Sequence, residues 1–489
     1  MPILRGHDLL ALEMFMAALR IYAFMLTWTL MSIPGYAGDL IATPKSKVLK
    51  ILEDYQQKEV EYTKELVGEN FQELSLKAMR EVIGMRSALV VLGGIDKALK
   101  EIEGRVIGSS QALERFKTLP KIYNIAKEDY EVSRRIEFLL RYFKSSLHRR
   151  DPDSHEKYIN MLITWLEKTV QMKFPTVYEE PLIYLVLTEI SRKIEDAIKE
   201  FSREIPTFPP LPTSPLLGTL NSGRVNAMLF CDRNEYLIIF QRELFHFANL
   251  FSKIVVTAMP IKEDEKGYIK LSVNQSDWQK NIAENTDILD RFQDVLFAYL
   301  FRGAPGRARA YLVPPYYGDI AAIMVDAMER FVMGHEYGHI LFRHFPECDT
   351  ERGFDERGIK EVDYNHDHEI IADKIGVHLM VKSILEDNYD IAISLAGVDL
   401  FLYCIELVER SISVVRHGHP DDRPRRTHPP PDKRRQTVYN TFNKEIFSQG
   451  KWREEAKAAE ELGQSLQQII EDLWQRTQPA LVQYPCVST

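Results

Sequence analysis

The chain has 489 residues, of which 45% are hydrophobic and 27% charged, and its net charge is −9. This composition is typical of a globular protein with a sizeable core, and the length is enough for two or three domains. The negative net charge argues against a general nucleic-acid-binding protein, which would present a basic surface. Four widely spaced cysteines without a CxxC pair argue against a disulfide framework and a cysteine zinc site.

The N-terminal segment has the order of a secretory signal. Arg20 precedes an apolar run over residues 21–31, a Pro-Gly pair follows, and Ala37 is a small residue suited to a cleavage site. We therefore expect residues 1–37 to be a signal peptide or a membrane anchor, with a buried N-terminal helix in a cytoplasmic protein as the alternative. No other segment is expected to be apolar enough to span a bilayer.

The next part of the chain predicts helices and then a linker. Residues 46–204 carry apolar residues at intervals of three and four almost throughout, which predicts a helical domain. Such a domain is a candidate binding surface for a protein partner. The proline-rich segment PTFPPLPTSPLLG indicates a linker over residues 205–218, the clearest domain boundary in the sequence.

Residues 219–445 predict a second domain with a small sheet. Two short apolar runs within residues 226–244 flank a turn, which indicates two strands, and the second run continues into a helix. A long helix is predicted to begin at Asp319, its N-cap. Further helices are predicted over residues 368–385 and 390–415.

The C-terminal part contains a polar loop and one more helix. The segment RHGHPDDRPRRTHPPPDKRR predicts a loop over residues 416–435. Residues 446–489 form a C-terminal segment whose amphipathic helix is predicted over residues 452–474. The predicted fold class is therefore α+β and predominantly helical.

The segment HEYGHILFRH, residues 335–344, carries the first sign of chemistry. Residues four apart on a helix project from the same face, so His335 and His339 can hold one ion between them. In this H-E-x-x-H arrangement the imidazoles bind zinc and Glu336 handles the proton of a water molecule. Histidines on a helix are also often merely hydrogen-bonded. His344 would point away from the metal face of a continuing helix, so we expect it to be structural.

A third metal ligand is expected in the segment NHDHEIIADKIG. Glu369 and Asp373 are four apart and share a helix face, so Glu369 can bind the metal while Asp373 orients a bound histidine. The alternative is a solvated acidic edge, which the surrounding isoleucines and alanine disfavour. His366 and His368 are rival candidates for the third ligand.

The three motifs HExxH, ExxAD and THP-x4-R occur in this order, the last in THPPPDKR at residues 427–434. This pattern resembles the gluzincin metallopeptidases of the HtpX-like and CAAX-prenyl-protease-like group. The resemblance covers residues 225–435. The sequence departs from that group in the short interval between the first two motifs and in lacking its several membrane-spanning helices.

The resemblance implies roles for individual residues. Glu336 would be the catalytic base, and His428 would stabilise the oxyanion or act as a displaceable fourth ligand. Arg434 would pair with an acid at the site, and the edge of the sheet would receive an extended peptide. The implied ligands of a single Zn²⁺ ion are His335, His339 and Glu369.

These implications predict a zinc-dependent endopeptidase that acts on a protein or peptide substrate. One alternative is a helical interaction protein with a degenerate or structural zinc site. A structural site would normally have four protein ligands and would not need Glu336. The other alternative is a zinc hydrolase that acts on a non-peptide amide.

Overall fold

The computed structural model of the protein describes most of the chain from residue 46 onward, with a large gap after residue 67. The predicted signal peptide or anchor and His428 lie outside the described residues. Those described are residues 46–67, 175–176, 179, 181–220, 227–232, 234–263, 269–302, 304–309, 311, 313–344, 354–355, 358–359, 365–387, 389–420, 429–446 and 453–483.

The described residues belong to two compact units. The first unit contains residues 46–55 and everything described from residue 186 onward. The second contains residues 56–67 and those described between 175 and 185. In the second unit Gln56 Nε2 donates to Glu179 Oε1 at 2.6 Å. The predicted helical domain, 46–204, is therefore divided between the two units, because its last part packs within the first.

The first unit contains the three-stranded sheet. Its strands are β1 (Leu216–Leu220), β2 (Ala227–Asp232) and β3 (Glu235–Gln241), in the order β1-β3-β2. β2 and β3 pair antiparallel, which confirms the predicted hairpin, and β1 pairs parallel with β3. β1 was not predicted, and its first three residues fall within the segment assigned to the linker.

Helix α1 (Lys47–Val67) begins in the first unit and covers the sheet there. Its buried Leu52 and Tyr55 join the apolar side chains of the strands in one hydrophobic cluster. The Tyr55 and Phe230 rings lie 5.4 Å apart between centroids. Burial of aromatic and branched side chains from both layers holds α1 against the sheet.

Helices make up most of the described chain, and two short antiparallel strand pairs accompany them. The pairs are β4 (Ile261–Glu263) with β5 (Ile269–Leu271) and β6 (Phe354–Asp355) with β7 (Gly358–Ile359). The remaining helices are α2 (Pro181–Glu204), α3 (Arg242–Ala258), α4 (Gln275–Glu284), α5 (Thr286–Arg302), α6 (Pro315–Leu341), α7 (His366–Glu386), α8 (Ile391–His417), α9 (Pro431–Asn440) and α10 (Arg453–Val482). The α+β, predominantly helical fold is therefore confirmed.

Helices α6 and α9 begin at prolines where the sequence predicted otherwise. Pro315 opens α6, so the prediction that Asp319 caps this helix was wrong, and Asp319 is buried inside it. Pro431 opens α9 within the predicted loop over residues 416–435, which places Arg434 on a helix. Proline suits the first helical position because its fixed φ is helical and its missing N–H would have had no partner there.

Helix α8 corrects the expectation that no segment beyond the N-terminus could span a membrane. Its 27 residues include an 18-residue window with a mean hydropathy of 2.0, so length and composition would allow it to cross a bilayer. In this structure 83% of that window is buried inside the protein. Helix α10 packs against α8, and Arg410 of α8 forms an ion pair at 2.8 Å with Glu471 of α10.

The described cysteines differ in state. Cys231 in β2 is disulfide-bonded. Cys404 in α8 is buried and free, and burial raises the pKa of its thiol. A buried thiol of this kind behaves as a small apolar side chain.

Candidate metal centre

Helices α6 and α7 carry the first two motifs and approach each other through small residues. A Cβ added to Gly338 of α6 would lie 3.0 Å from the Ala372 Cα of α7. A Cβ added to Gly376 of α7 would lie 3.0 Å from the Phe331 carbonyl oxygen of α6. These glycines let the two backbones come close, and short side chains on one helix can therefore reach those on the other.

Three predicted ligands meet across this helix pair. The Nε2 atoms of His335 and His339 are 3.2 Å apart, and Glu369 Oε2 and Oε1 lie 3.4 Å and 3.3 Å from them, respectively. All three residues are buried, with at most 6% of their surface exposed. This buried group could hold a metal ion.

Asp373 and Arg434 orient one of these histidines. The Nδ1 atom of His335 donates to Asp373 Oδ1 at 3.0 Å. Arg434 Nε and Nη2 donate to the two oxygens of Asp373 at 2.8 Å and 2.6 Å. Because Nδ1 carries the proton in this arrangement, the Nε2 of a neutral His335 presents a lone pair toward Glu369. The pairing of Arg434 with an acid agrees with the sequence prediction.

The surroundings of the site shift the pKa values of His335 and His339 in opposite directions. Burial opposes the charged form of His335, but Glu369 and Asp373 outweigh it and raise its pKa to about 10. Burial lowers the pKa of His339 to about 4. Without a metal, a proton on His335 therefore occupies the position beside Glu369 that a cation would take.

Glu336 is buried next to His335 in the same electrostatic group. Burial opposes the charge of Arg434, but Asp373, then Glu369 and Glu336, raise the pKa of the guanidinium. The same guanidinium overcomes the effect of burial on Asp373 and lowers the pKa of that carboxyl. The site thus combines three carboxylates with one permanent cation from the described residues.

His344 does not point away from the site as expected. It lies after the end of α6, and its Nδ1 is 3.0 Å from the Nδ1 of His339. Its ring stacks on His368 with centroids 4.3 Å apart and an interplanar angle of 4°. The structure groups neither His366 nor His368 with the three candidate ligands.

Sequence reasoning also missed the partners of Tyr337, which lies between the motif histidines. Its hydroxyl donates to Glu195 Oε1 at 2.9 Å and accepts from Ser191 Oγ at 2.7 Å. Both partners belong to α2, about 140 residues earlier in the chain. A tyrosine at a buried helix position indicates a hydrogen-bond partner, but the sequence does not show where that partner lies.

Comparisons with known proteins add nothing to this geometry. No family model matches the chain, and neither a curated protein nor a solved structure gives a match. The resemblance to gluzincin peptidases thus rests on the three motifs alone, and function has to be argued from the site.

Proposed function

We propose that the protein is a zinc-dependent peptidase of the gluzincin type, which hydrolyses peptide bonds of a protein or peptide substrate. The observation that carries the proposal is the convergence of His335, His339 and Glu369, with Glu336 on the same helix as the two histidines. In the metal-free protein the proton on His335 lies beside Glu369, and with His335 neutral its Nε2 and the Glu369 oxygens would present lone pairs to each other. A cation bound between the two Nε2 atoms and the Glu369 oxygens would attract their lone pairs, which otherwise repel one another.

The distances between the ligand atoms favour zinc. Zinc binds imidazole nitrogen and carboxylate oxygen at about 2.0–2.2 Å, so neighbouring ligand atoms of a tetrahedral site lie about 3.3–3.6 Å apart. In this site the two Nε2 atoms are 3.2 Å apart, and each lies 3.3–3.4 Å from a different oxygen of Glu369, which is close enough for one such ion. Two nitrogen ligands and one carboxylate are also a donor set that zinc accepts in catalytic sites.

The number of ligands supports a catalytic rather than a structural ion. Structural zinc is normally held by four protein ligands, whereas catalytic zinc has three and keeps one position for water. Among the described residues the group has three members. When bound, zinc would act as a Lewis acid that acidifies water and polarises a carbonyl.

The chain's own residues would then move the proton. Glu336 is placed to accept a proton from the attacking water and to return it to the leaving amine. Arg434 lies close enough to interact with this carboxylate, which is one of the groups that raise the pKa of the guanidinium. Stabilisation of the oxyanion by His428 stays a prediction from the sequence.

The test is the cleavage of casein and of a mixed peptide library by Glu336→Gln. This variant keeps the shape of the side chain but cannot accept a proton, so we expect wild-type zinc content and a loss of at least about 10²-fold in rate. Glu284→Gln is the matched control, because Glu284 is exposed on α4. Equal cleavage by wild type and Glu336→Gln would reject the proposed base, and a zinc-loaded wild type without hydrolysis would reject the peptidase.

A further inference from the structure

The residues after the motif helix form a local structure with a consequence for the candidate ligand His339. Arg343 adopts a left-handed backbone conformation with φ of 50°. The His344 N–H donates to the His339 carbonyl at 3.1 Å, and the Arg343 N–H donates to the Ile340 carbonyl at 3.3 Å. These two bonds define a Schellman motif, which reverses the chain at the helix end.

This reversal brings the His344 ring back over His339. The last turn of α6 thus joins the two residues twice, through the main chain and through their Nδ1 atoms at 3.0 Å. The His344 ring also stacks on the parallel ring of His368, and this contact fixes the plane of the His344 ring. His344 is 5% exposed, so its side chain has little freedom to choose another partner.

We propose that His344 is a positioning residue that selects the metal-binding tautomer of His339. Only one of the two Nδ1 atoms can donate the proton of their hydrogen bond. If His344 donated, His339 would carry its own proton on Nε2, which faces Glu369 and His335, and Nε2 could not bind a metal. His344 therefore accepts, His339 keeps its proton on Nδ1, and Nε2 presents its lone pair to the metal.

The two motif histidines are then oriented by different chemistry. Asp373 accepts from His335 as a charged group, whereas a neutral ring accepts from His339. A neutral acceptor adds no further negative charge to a site that already contains three carboxylates. This inference rests on the proposed metal site, but it does not depend on which bond the protein hydrolyses.

The test compares His344→Asn with His344→Leu by the zinc affinity of the purified full chain, measured by competition with a fluorescent chelator. Asn and Leu have the same shape and both remove the ring stacking. The Asn Oδ1 atom, however, can accept where His344 Nδ1 does, and Leu cannot. We expect His344→Leu to bind zinc about 10- to 100-fold more weakly than wild type and His344→Asn to stay within a few-fold of it.

Equal zinc affinities of the two variants would overturn the positioning role, because a purely structural residue is not rescued by an acceptor. Thermal melting of the metal-free variants checks that both are folded. If either fails to fold, the same comparison is made with Arg343→Val, whose branched side chain disfavours a positive φ but keeps the N–H, against Arg343→Gly, which adopts it readily. Weaker zinc binding by Arg343→Val alone supports the inference, and equal binding overturns it. A wild type that binds zinc without cleaving peptides rejects the peptidase proposal and leaves this inference standing.

Discussion

Two charged clusters, each with its arginine buried, lie along helix α6 and differ in how their charges are balanced. In the first, Arg330 forms ion pairs with Asp326 (2.6 Å) and Asp387, and Lys193 of α2 pairs with Asp387 as well. Two carboxylates thus meet two basic groups, and the Arg330 guanidinium also lies over the Tyr389 ring at 5.2 Å. We refer to these four charged residues as the ion cluster.

The candidate metal centre, a short distance along the same helix, has a different balance of charges. Its described residues contribute three carboxylates and one guanidinium, which leaves two negative charges when both histidines are neutral. One divalent cation would bring this sum to zero. The comparison teaches that buried charge alone does not mark a metal site. The candidate metal centre differs from the ion cluster in two respects. Its candidate ligand atoms converge on one point, and its described residues carry a net negative charge when both histidines are neutral.

The largest effect is expected from removing a candidate ligand. His335→Ala, His339→Ala or Glu369→Ala should each weaken zinc binding far beyond the about 10- to 100-fold typical of a residue that only orients a ligand. His366→Ala is the control and should bind zinc as wild type does. Competition with a chelator measures the zinc affinity of the ligand variants and of the control. Zinc loss with His366→Ala or His368→Ala, and none with Glu369→Ala, would mean that the third ligand is assigned wrongly.

Breaking the ion cluster should lower the free energy of unfolding and leave zinc affinity unchanged. Arg330→Met leaves the buried Asp326 and the partly buried Asp387 without their guanidinium, and we expect a loss of about 3–5 kcal/mol in the free energy of unfolding. The zinc affinity of the folded protein should not change. Arg192→Met removes an exposed arginine of α2, 56% accessible, and should cost at most about 1 kcal/mol. Loss of zinc binding in Arg330→Met would show that the two clusters are not separate.

Asp373 should have an intermediate effect. Asp373→Ala removes the acceptor that orients His335 and the partner of Arg434. We expect zinc affinity to fall by about 10- to 100-fold, well short of the effect of losing a ligand. Isothermal titration of zinc into the metal-free variant measures this. A loss as large as that of Glu369→Ala would make Asp373 itself a ligand.

The metal-free and zinc-loaded proteins should respond differently to pH. In the metal-free protein the pKa of His335 is raised to about 10, so its stabilising effect is complete below the ordinary value of 6.5. This effect is lost as pH rises from 6.5 to about 10. Zinc replaces that proton, so the loaded protein should not follow this trend. Thermal melting with and without chelator tests this, and parallel curves would contradict it.

The sequence predicted the helices that carry the site although their apolar residues are not confined to one face, since both helices are buried on most sides. It also predicted the grouping of His335 with His339, since residues four apart share a helix face, and the second motif added Glu369 as the third candidate ligand. Gly334 and Gly338 on α6, with Ala372 and Gly376 on α7, show the same spacing and could have indicated where the two helices meet.

The errors lie at the ends of elements, where local sequence is a weak guide. Arg343 ends α6 in a left-handed conformation usually taken by glycine, so nothing in LFRH indicates the reversal that carries His344 to His339. Strand β1 follows several prolines, and its parallel pairing with β3 depends on a distant part of the chain. Such contacts are decided by tertiary packing rather than by local preference.

The central claim is that His335, His339 and Glu369 bind one zinc ion between α6 and α7. A crystal structure of the zinc-loaded protein, with anomalous data collected on both sides of the zinc edge, tests it most directly. We expect one anomalous peak about 2.0–2.2 Å from His335 Nε2, His339 Nε2 and a Glu369 oxygen. A fully loaded protein with no peak there, or with its peak at other residues, would contradict the account.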